Sequence, residues 1–166
     1  MRLTLHTDYA LRVLIHTGLK GAALSTIPEI VAHFHISRSH LMKVVHRLGQ
    51  LGYIETIRGK RGGIRLERQP AQINVGAVVR DMEEELGVLG CLQGEPGYCC
   101  IEECCTLRSA LRDATNAFLG TLDRYTLADL LKPRHALVRL MGLDAVALPG
   151  TRPRRGVGPG KGIPTR

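Results

Sequence analysis

Ser37-Arg38-Ser39-His40-Leu41-Met42-Lys43-Val44-Val45-His46-Arg47-Leu48, followed by Tyr53-Ile54-Glu55-Thr56-Ile57-Arg58-Gly59-Lys60-Arg61-Gly62-Gly63-Ile64-Arg65-Leu66-Glu67, decides the fold. Ser37 is a good helix N-cap, and Leu41, Val44, Val45 and Leu48 recur at steps of three and four on one apolar helical face. Gly52 stands where helices favour a left-handed stop. The pattern then changes. Residues 53–57 read as a short strand, 58–63 as a glycine-rich turn, and 64–67 alternate apolar and polar side chains, as a half-exposed strand does. The stretch predicts a helix followed by a β-hairpin with a basic tip.

Upstream, Leu11, Leu14, Ile15 and Gly18 lie at helical spacing and predict a first helix over 7–20, with Thr7 as N-cap and Asp8 in the first turn. Thr26-Ile27-Pro28-Glu29 is a capping box with proline just inside the start, opening a second helix to about His33. His35-Ile36 is then a tight connection. Helix, helix, helix, hairpin is the order of a winged helix-turn-helix. Downstream, Asn74 caps a fourth helix expected to run through Val78, Val79, Met82 and Leu86, and residues 87–104 read as a loop. A long helix is expected over about 105–131, with Leu107, Leu111, Ala114, Phe118, Leu122 and Tyr125 forming a coiled-coil-like stripe. That stripe suits pairing with a second copy; the competing reading is a helix buried on its own domain. The expected fold is mainly α with a small β-hairpin wing, a winged helix-turn-helix plus a long dimerisation helix. Three segments follow: 1–70 for the DNA-binding domain, 71–132 for the cysteine loop and dimerisation helix, and 133–166 as a C-terminal extension, disordered from about 149, where Gly, Pro and Arg dominate.

The chain has 166 residues, 44% of them hydrophobic, enough for a real core. No apolar run reaches the length of a transmembrane helix, and the start has no signal-peptide pattern, so a cytoplasmic protein with no membrane partner is expected. The net charge of +8 is unevenly placed. Residues 1–68 carry eleven Lys or Arg against four Asp or Glu, whereas residues 69–149 carry seven against eleven. A basic first part calls for an anionic partner there; a solvated basic surface is the plainer alternative. In a helix-turn-helix the third helix enters the major groove. Its outward residues here are Ser37, Arg38, Ser39, His40, Lys43, His46 and Arg47, and the wing tip adds Arg58, Lys60 and Arg61. Helix order, basic face and basic turn occur together and point to double-stranded DNA. No nucleophile–base pair, phosphate loop or paired carboxylates stand out, so an enzyme is not expected.

All five cysteines fall between Cys91 and Cys105: Cys91, Cys99, Cys100, Cys104 and Cys105. The number is odd, which disfavours a disulfide framework and favours metal or redox chemistry. The two spaced pairs of a zinc ribbon are absent, as is the run of close ferredoxin spacings. Spacing alone leaves open a cluster, a structural zinc, a thiol–disulfide switch or inert thiols.

Several motifs together resemble the bacterial winged-helix iron–sulfur regulators, and within that family the NsrR-like, nitric-oxide-sensitive branch. They are Leu3-Thr4 with Thr7-Asp8-Tyr9-Ala10-Leu11-Arg12; Ile36-Ser37-Arg38-Ser39-His40-Leu41-Met42-Lys43-Val44-Val45; Leu51-Gly52-Tyr53-Ile54; the wing 58–66; Val78-Val79-Arg80; the cysteine loop; Leu107-Arg108-Ser109-Ala110-Leu111; and Tyr125-Thr126-Leu127-Ala128-Asp129-Leu130. The resemblance covers about residues 1–132. It implies a homodimeric transcription repressor on operator DNA, with an iron–sulfur cluster in each protomer and nitric oxide as effector. By the family's pattern the ligands are Cys91, Cys99 and Cys105, with Cys100 and Cys104 as neighbours able to substitute. A non-cysteine ligand completes the set, and Asp8, supplied by the partner chain, matches that position; its alternative role is to stabilise the helix N-terminus. An IscR-like branch, with a 2Fe–2S cluster and a role in iron–sulfur or iron homeostasis, is the second implied reading. It has histidine where this chain has Arg108, so 4Fe–4S is favoured over 2Fe–2S. A thiol or zinc redox switch on the same scaffold is the reading of another kind.

Overall fold

The structure, a computed structural model, describes residues 2–84, 86, 92 and 99–143. Cys91, most of the cysteine loop and the chain from residue 144 lie outside the described residues. Among the described residues seven α-helices and one hairpin follow in order: α1 (Leu5–Lys20), α2 (Ile27–Phe34), α3 (Arg38–Gln50), β1 (Ile54–Ile57), β2 (Gly63–Leu66), α4 (Val75–Met82), α5 (Thr106–Leu122), α6 (Leu127–Leu130) and α7 (Arg134–Leu140).

Local chemistry accounts for most boundaries. The capping box at Thr26 forms, with Glu29 returning its side chain to the Thr26 backbone. His35 takes a left-handed conformation (φ 53°) and turns the chain between α2 and α3. Ser37 caps α3 by accepting the His40 N–H at 3.3 Å. Leu41, Val44, Val45 and Leu48 are buried, as their spacing requires. They join Ala10, Val13 and Leu14 of α1, Ile30 of α2, Ile54 and Ile64 of the hairpin and Val78 of α4 in one core.

The hairpin pairs Ile54 with Leu66 and Ile57 with Gly63, and Gly59 (φ 117°) makes its turn. The wing is wider than the sequence suggested. Ser25, between α1 and α2, exchanges backbone hydrogen bonds with Ile64 at 2.9 and 2.7 Å, an isolated antiparallel bridge on β2. Gly63 is glycine for that reason: a Cβ there would stand 2.6 Å from the Ser25 carbonyl oxygen.

Three expectations are corrected. The cap of α1 is Thr4, not Thr7; Thr7 sits buried inside the helix and donates its N–H to the Thr4 hydroxyl. α4 ends at Met82 rather than Leu86, because Glu83 turns extended and lends its carboxylate to Thr4 and Thr7. The long helix stops at Leu122, which leaves Tyr125 outside its stripe. There Asp123 binds Arg80 through both oxygens (2.7 and 2.6 Å), and Thr126 with Asp129 forms a second capping box that opens α6. The C-terminal extension, expected to be disordered only from about 149, starts with α7, which packs on α1 while Arg134 donates to the carbonyls of Gly18 and Leu19.

Candidate nucleic-acid interface and cysteine site

The core-facing stripe of α3 leaves its other side to solvent. Ser37, Arg38, Ser39, His40, Lys43, His46 and Arg47 are all exposed, as are Arg58, Lys60 and Arg61 at the hairpin turn. Among the described residues, Arg38, Lys43, Arg58, Lys60 and Arg61 have no carboxylate partner. The basic charge of the strands is treated differently: Arg65 is paired with Glu55 across β1 and β2 at 2.7 Å. Neutralised strands and open cations at the tip concentrate positive potential where the wing would meet phosphates.

Two of the outward residues have work inside the protein. Ser37 is occupied by its cap and lies 3.1 Å from the Ser39 hydroxyl. Arg47 donates to the Asp81 carbonyl at 3.3 Å and so ties α3 to the end of α4. The Asp81 carboxylate in turn accepts the buried Tyr53 hydroxyl at 2.6 Å, and burial and that carboxylate push the phenol's pKa upward. The sequence reading missed a further exposed member of this face. Met42, at helical spacing from Ser39 and His46, is 55% exposed.

A second polar set sits behind the reading face. His16 is fully buried in α1, with Nδ1 2.9 Å from the Ser25 hydroxyl and Nε2 2.9 Å from Nδ1 of His33 in α2. Its pKa falls to about 4, chiefly through burial and then through the positive charge His33 carries when protonated; Glu29 opposes this and Lys20 adds to it. Lys20 and Glu29 are paired beside it at 2.9 Å. His16 therefore stays neutral and joins α1, α2 and the Ser25 bridge to the wing.

The cysteine segment leaves α4 at Glu83. One oxygen of that carboxylate accepts the Thr4 N–H (2.7 Å), the Thr4 hydroxyl (3.2 Å) and the Thr7 hydroxyl (2.6 Å). A carboxylate at a helix N-terminus is favourably placed. Asp8 follows Thr7 and forms a two-point ion pair with Arg12 one turn on, at 2.8 and 2.9 Å. The Arg12 guanidinium lies over the Phe34 ring. The segment rejoins regular structure at Cys105, whose sulfur caps α5 by accepting the Arg108 N–H at 3.4 Å. Cys99, Cys100, Cys104 and Cys105 are free thiols; Cys100 and Cys104 are exposed. Among the described residues no three His, Cys, Asp or Glu side chains stand close enough to hold a metal ion. Cys99 and Cys105 are described, Cys91 is not, and Asp8 is engaged with Arg12 of its own helix. The donor chemistry nonetheless fits an iron–sulfur group: soft thiols, one of them at a helix N-terminus, where negative charge is stabilised.

Beyond this segment, α5 buries only Leu119. Leu107 of its stripe is 60% exposed.

The model of the family Rrf2, described as iron-dependent transcriptional regulator, matches residues 3–133. The chain belongs to the Rrf2 family. An HTH-type transcriptional regulator NsrR of Geobacillus kaustophilus is 51% identical over 85% of this chain and 97% of its own length. The NsrR of Bacillus subtilis is 46% identical over the same shares, and protein aau3 of Rhizobium meliloti is 38% identical over 91% of this chain and 98% of its own. Among solved structures, T. potens IscR matches with TM-score 0.64 and 21% identity, over 80% of this chain and 87% of that one. CymR, the global cysteine regulator of B. subtilis, matches with TM-score 0.63 and 23% identity, over 78% and 95%. Those two likenesses establish the Rrf2 winged-helix fold. The Rrf2 relatives make the chain a DNA-binding transcriptional regulator, not an enzyme. No helix among the described residues is long and apolar enough to cross a membrane.

Proposed function

We propose that this Rrf2 regulator is a homodimeric repressor that reads operator DNA with α3 and the wing, and that it responds to nitric oxide through an iron–sulfur cluster on the cysteine segment. The observation that carries the reading is the double anchorage of α4's end. Asp81 there holds Tyr53 and Arg47 of the reading unit, and two residues later Glu83 holds the start of α1. The cysteine segment departs from that same point, so a change in the segment bears directly on both.

Cys91, Cys99 and Cys105 would hold the cluster, with Asp8 of the partner chain as the non-cysteine ligand and Cys100 and Cys104 as substitutes. When bound, the cluster supplies iron centres that react with nitric oxide; 4Fe–4S is favoured over 2Fe–2S. The chain's own residues do the rest. Arg12 holds the Asp8 carboxylate while it is not a ligand. Glu83 fixes α1 against the segment's start, and Asp81 passes the position of α4 to α3. The stripe of α5, with Leu107 exposed and Leu111, Phe118 and Leu122 half-buried, supports dimerisation, which sets the two copies of α3 for successive major grooves. Arg38, Ser39, His40 and Lys43 read bases, Ser37 presets the helix start, and Arg58, Lys60 and Arg61 bind phosphates or the minor groove.

The four free thiols, two exposed, favour one second reading, a thiol or zinc switch on the same scaffold. One experiment separates the two. Anaerobically purified protein is assayed for iron and sulfide, and its operator affinity is measured before and after nitric oxide. About four iron and four sulfide per chain, with affinity lost on exposure, is expected. About two of each selects the IscR-like reading. Zinc or a reversible disulfide without iron selects the switch, and unchanged affinity of cluster-loaded protein overturns nitric-oxide sensing.

A further inference from the structure

Met42 is an exposed, flexible apolar side chain on an otherwise polar face. Ser39 lies three positions before it, Lys43 beside it and His46 four positions after it, and all are exposed. Leu41 and Val45, its neighbours on the inner side, are fully or almost fully buried and hold α3 to the core, so the helix cannot turn to bury Met42 instead. Resting on the reading of α3 as the base-reading helix, we propose that Met42 is a specificity residue that recognises the C5-methyl group of thymine in the major groove.

The chemistry is selective. Of the base edges in the major groove, only thymine presents a methyl group; the rest of the code is hydrogen-bond donors and acceptors. A thioether tip makes no strong hydrogen bond, so Met42 gains little from guanine, cytosine or adenine edges and gains dispersion and desolvation from a methyl. Its three rotatable bonds let the tip settle against that methyl without shifting the helix. Lys43 and Ser39 beside it provide polar contacts to neighbouring bases or phosphates, so the apolar contact adds sequence preference to an interface whose affinity is largely electrostatic.

The test replaces atoms on the DNA before it replaces any on the protein. Duplexes are selected from a random pool by the full chain at fixed salt, and each thymine of the selected site is changed singly to deoxyuridine, which removes the methyl and nothing else. Wild type is expected to lose affinity about four-fold at one position, or two adjacent ones, in each half-site. Met42→Ala is expected to bind thymine and uracil there equally, and Met42→Leu to restore the discrimination. Both variants keep a helix-favouring residue at an exposed site. Equal binding of thymine and uracil by wild type at every position overturns the proposal. So does discrimination that survives unchanged in Met42→Ala. The parent reading fails differently: if Arg38→Ala and Lys43→Ala leave the selected sequence unaltered, α3 is not the reader and the Met42 assignment falls with it.

Discussion

The first half of this chain and the stretch after it are held together by different means. Among the described residues, all the buried apolar ones except Leu119, Leu127 and Leu143 precede residue 83. The reading unit is a closed core, with helix caps made and, among the described residues, no buried side-chain polar atom lacking a partner. α5 is 17 residues long and buries one of them. In proteins most helical stability comes from packing an amphipathic face rather than from the helix itself. The contrast teaches that among the described residues the apolar core belongs to the first part, whereas α5 keeps most of its side chains outside that core; in the proposed dimer a second copy would cover its stripe.

Two substitutions would break that contrast if it were wrong. Leu41→Ala removes a fully buried side chain of α3 and is expected to cost about 2–5 kcal/mol in a urea or guanidinium titration. Leu107→Ala removes a leucine that is 60% exposed and is expected to change the single chain's stability by less than about 0.5 kcal/mol, while moving the sedimentation profile from dimer toward monomer. A loss at Leu107 as large as at Leu41, with no change in assembly, would mean that α5 is an ordinary core helix.

The reading unit should also respond to pH in a way the cysteine half does not. An unfolded histidine titrates near 6.5, while buried His16 titrates at about 4. Between those values the unfolded chain binds more protons than the folded one, so stability falls as pH falls. The contribution is whole above about pH 6.5 and absent below about pH 4, and is on the order of 3 kcal/mol. Comparing wild type with His16→Gln across that range isolates it from the carboxylates. Parallel curves for the two proteins would show that His16 titrates normally, and that burial does not hold it neutral.

Within the DNA surface the comparison is between helix and wing. Arg38→Ala or Lys43→Ala is expected to lower affinity for the selected site by about 1–3 kcal/mol and to relax preference at particular positions. Lys60→Ala or Arg61→Ala is expected to weaken specific and random DNA alike, and to reduce the slope of log affinity against log salt by about 0.9 per lost contact. Equal losses on specific and random DNA for the helix variants would remove their role as base readers.

How far the sequence alone reached divides along the same line. The winged helix-turn-helix was readable because each local signal agrees with the others: Ser37 and Asn74 as caps, the Thr26–Glu29 box, the buried stripe of α3 and the glycine turn of the wing. What stayed hidden depends on distant partners. Ser25 joins the wing through Ile64, and Glu83 leaves α4 to bind Thr4 and Thr7; no periodicity encodes either. The break at Leu122 did have a signal, the second capping box at Thr126, but the apolar stripe runs through it and masked it. The basic residues of α3 and the tip were identifiable by charge and position, yet the internal duties of Ser37 and Arg47 appear only in three dimensions. Asp8 shows the same limit, since its pairing with Arg12 is an ordinary i,i+4 contact that says nothing of a partner chain.

The smallest effect tests how finely the reading unit is made. His35 turns α2 into α3 with φ 53°, a conformation that costs an L-residue about 1 kcal/mol, and its side chain is exposed. Glycine removes that strain but adds backbone freedom to the unfolded chain, worth about 0.5–1 kcal/mol against folding. His35→Gly should therefore stabilise the protein only slightly, by no more than about 0.5 kcal/mol, whereas His35→Val, branched at Cβ and strongly disfavoured in this region, should destabilise it clearly. Denaturation midpoints of the three proteins would rank glycine, histidine, valine. If histidine ranked first, its ring would be repaying the strain through a contact of its own. The turn that sets the angle between the two helices of the motif would then be held by the His35 side chain as well as by the backbone.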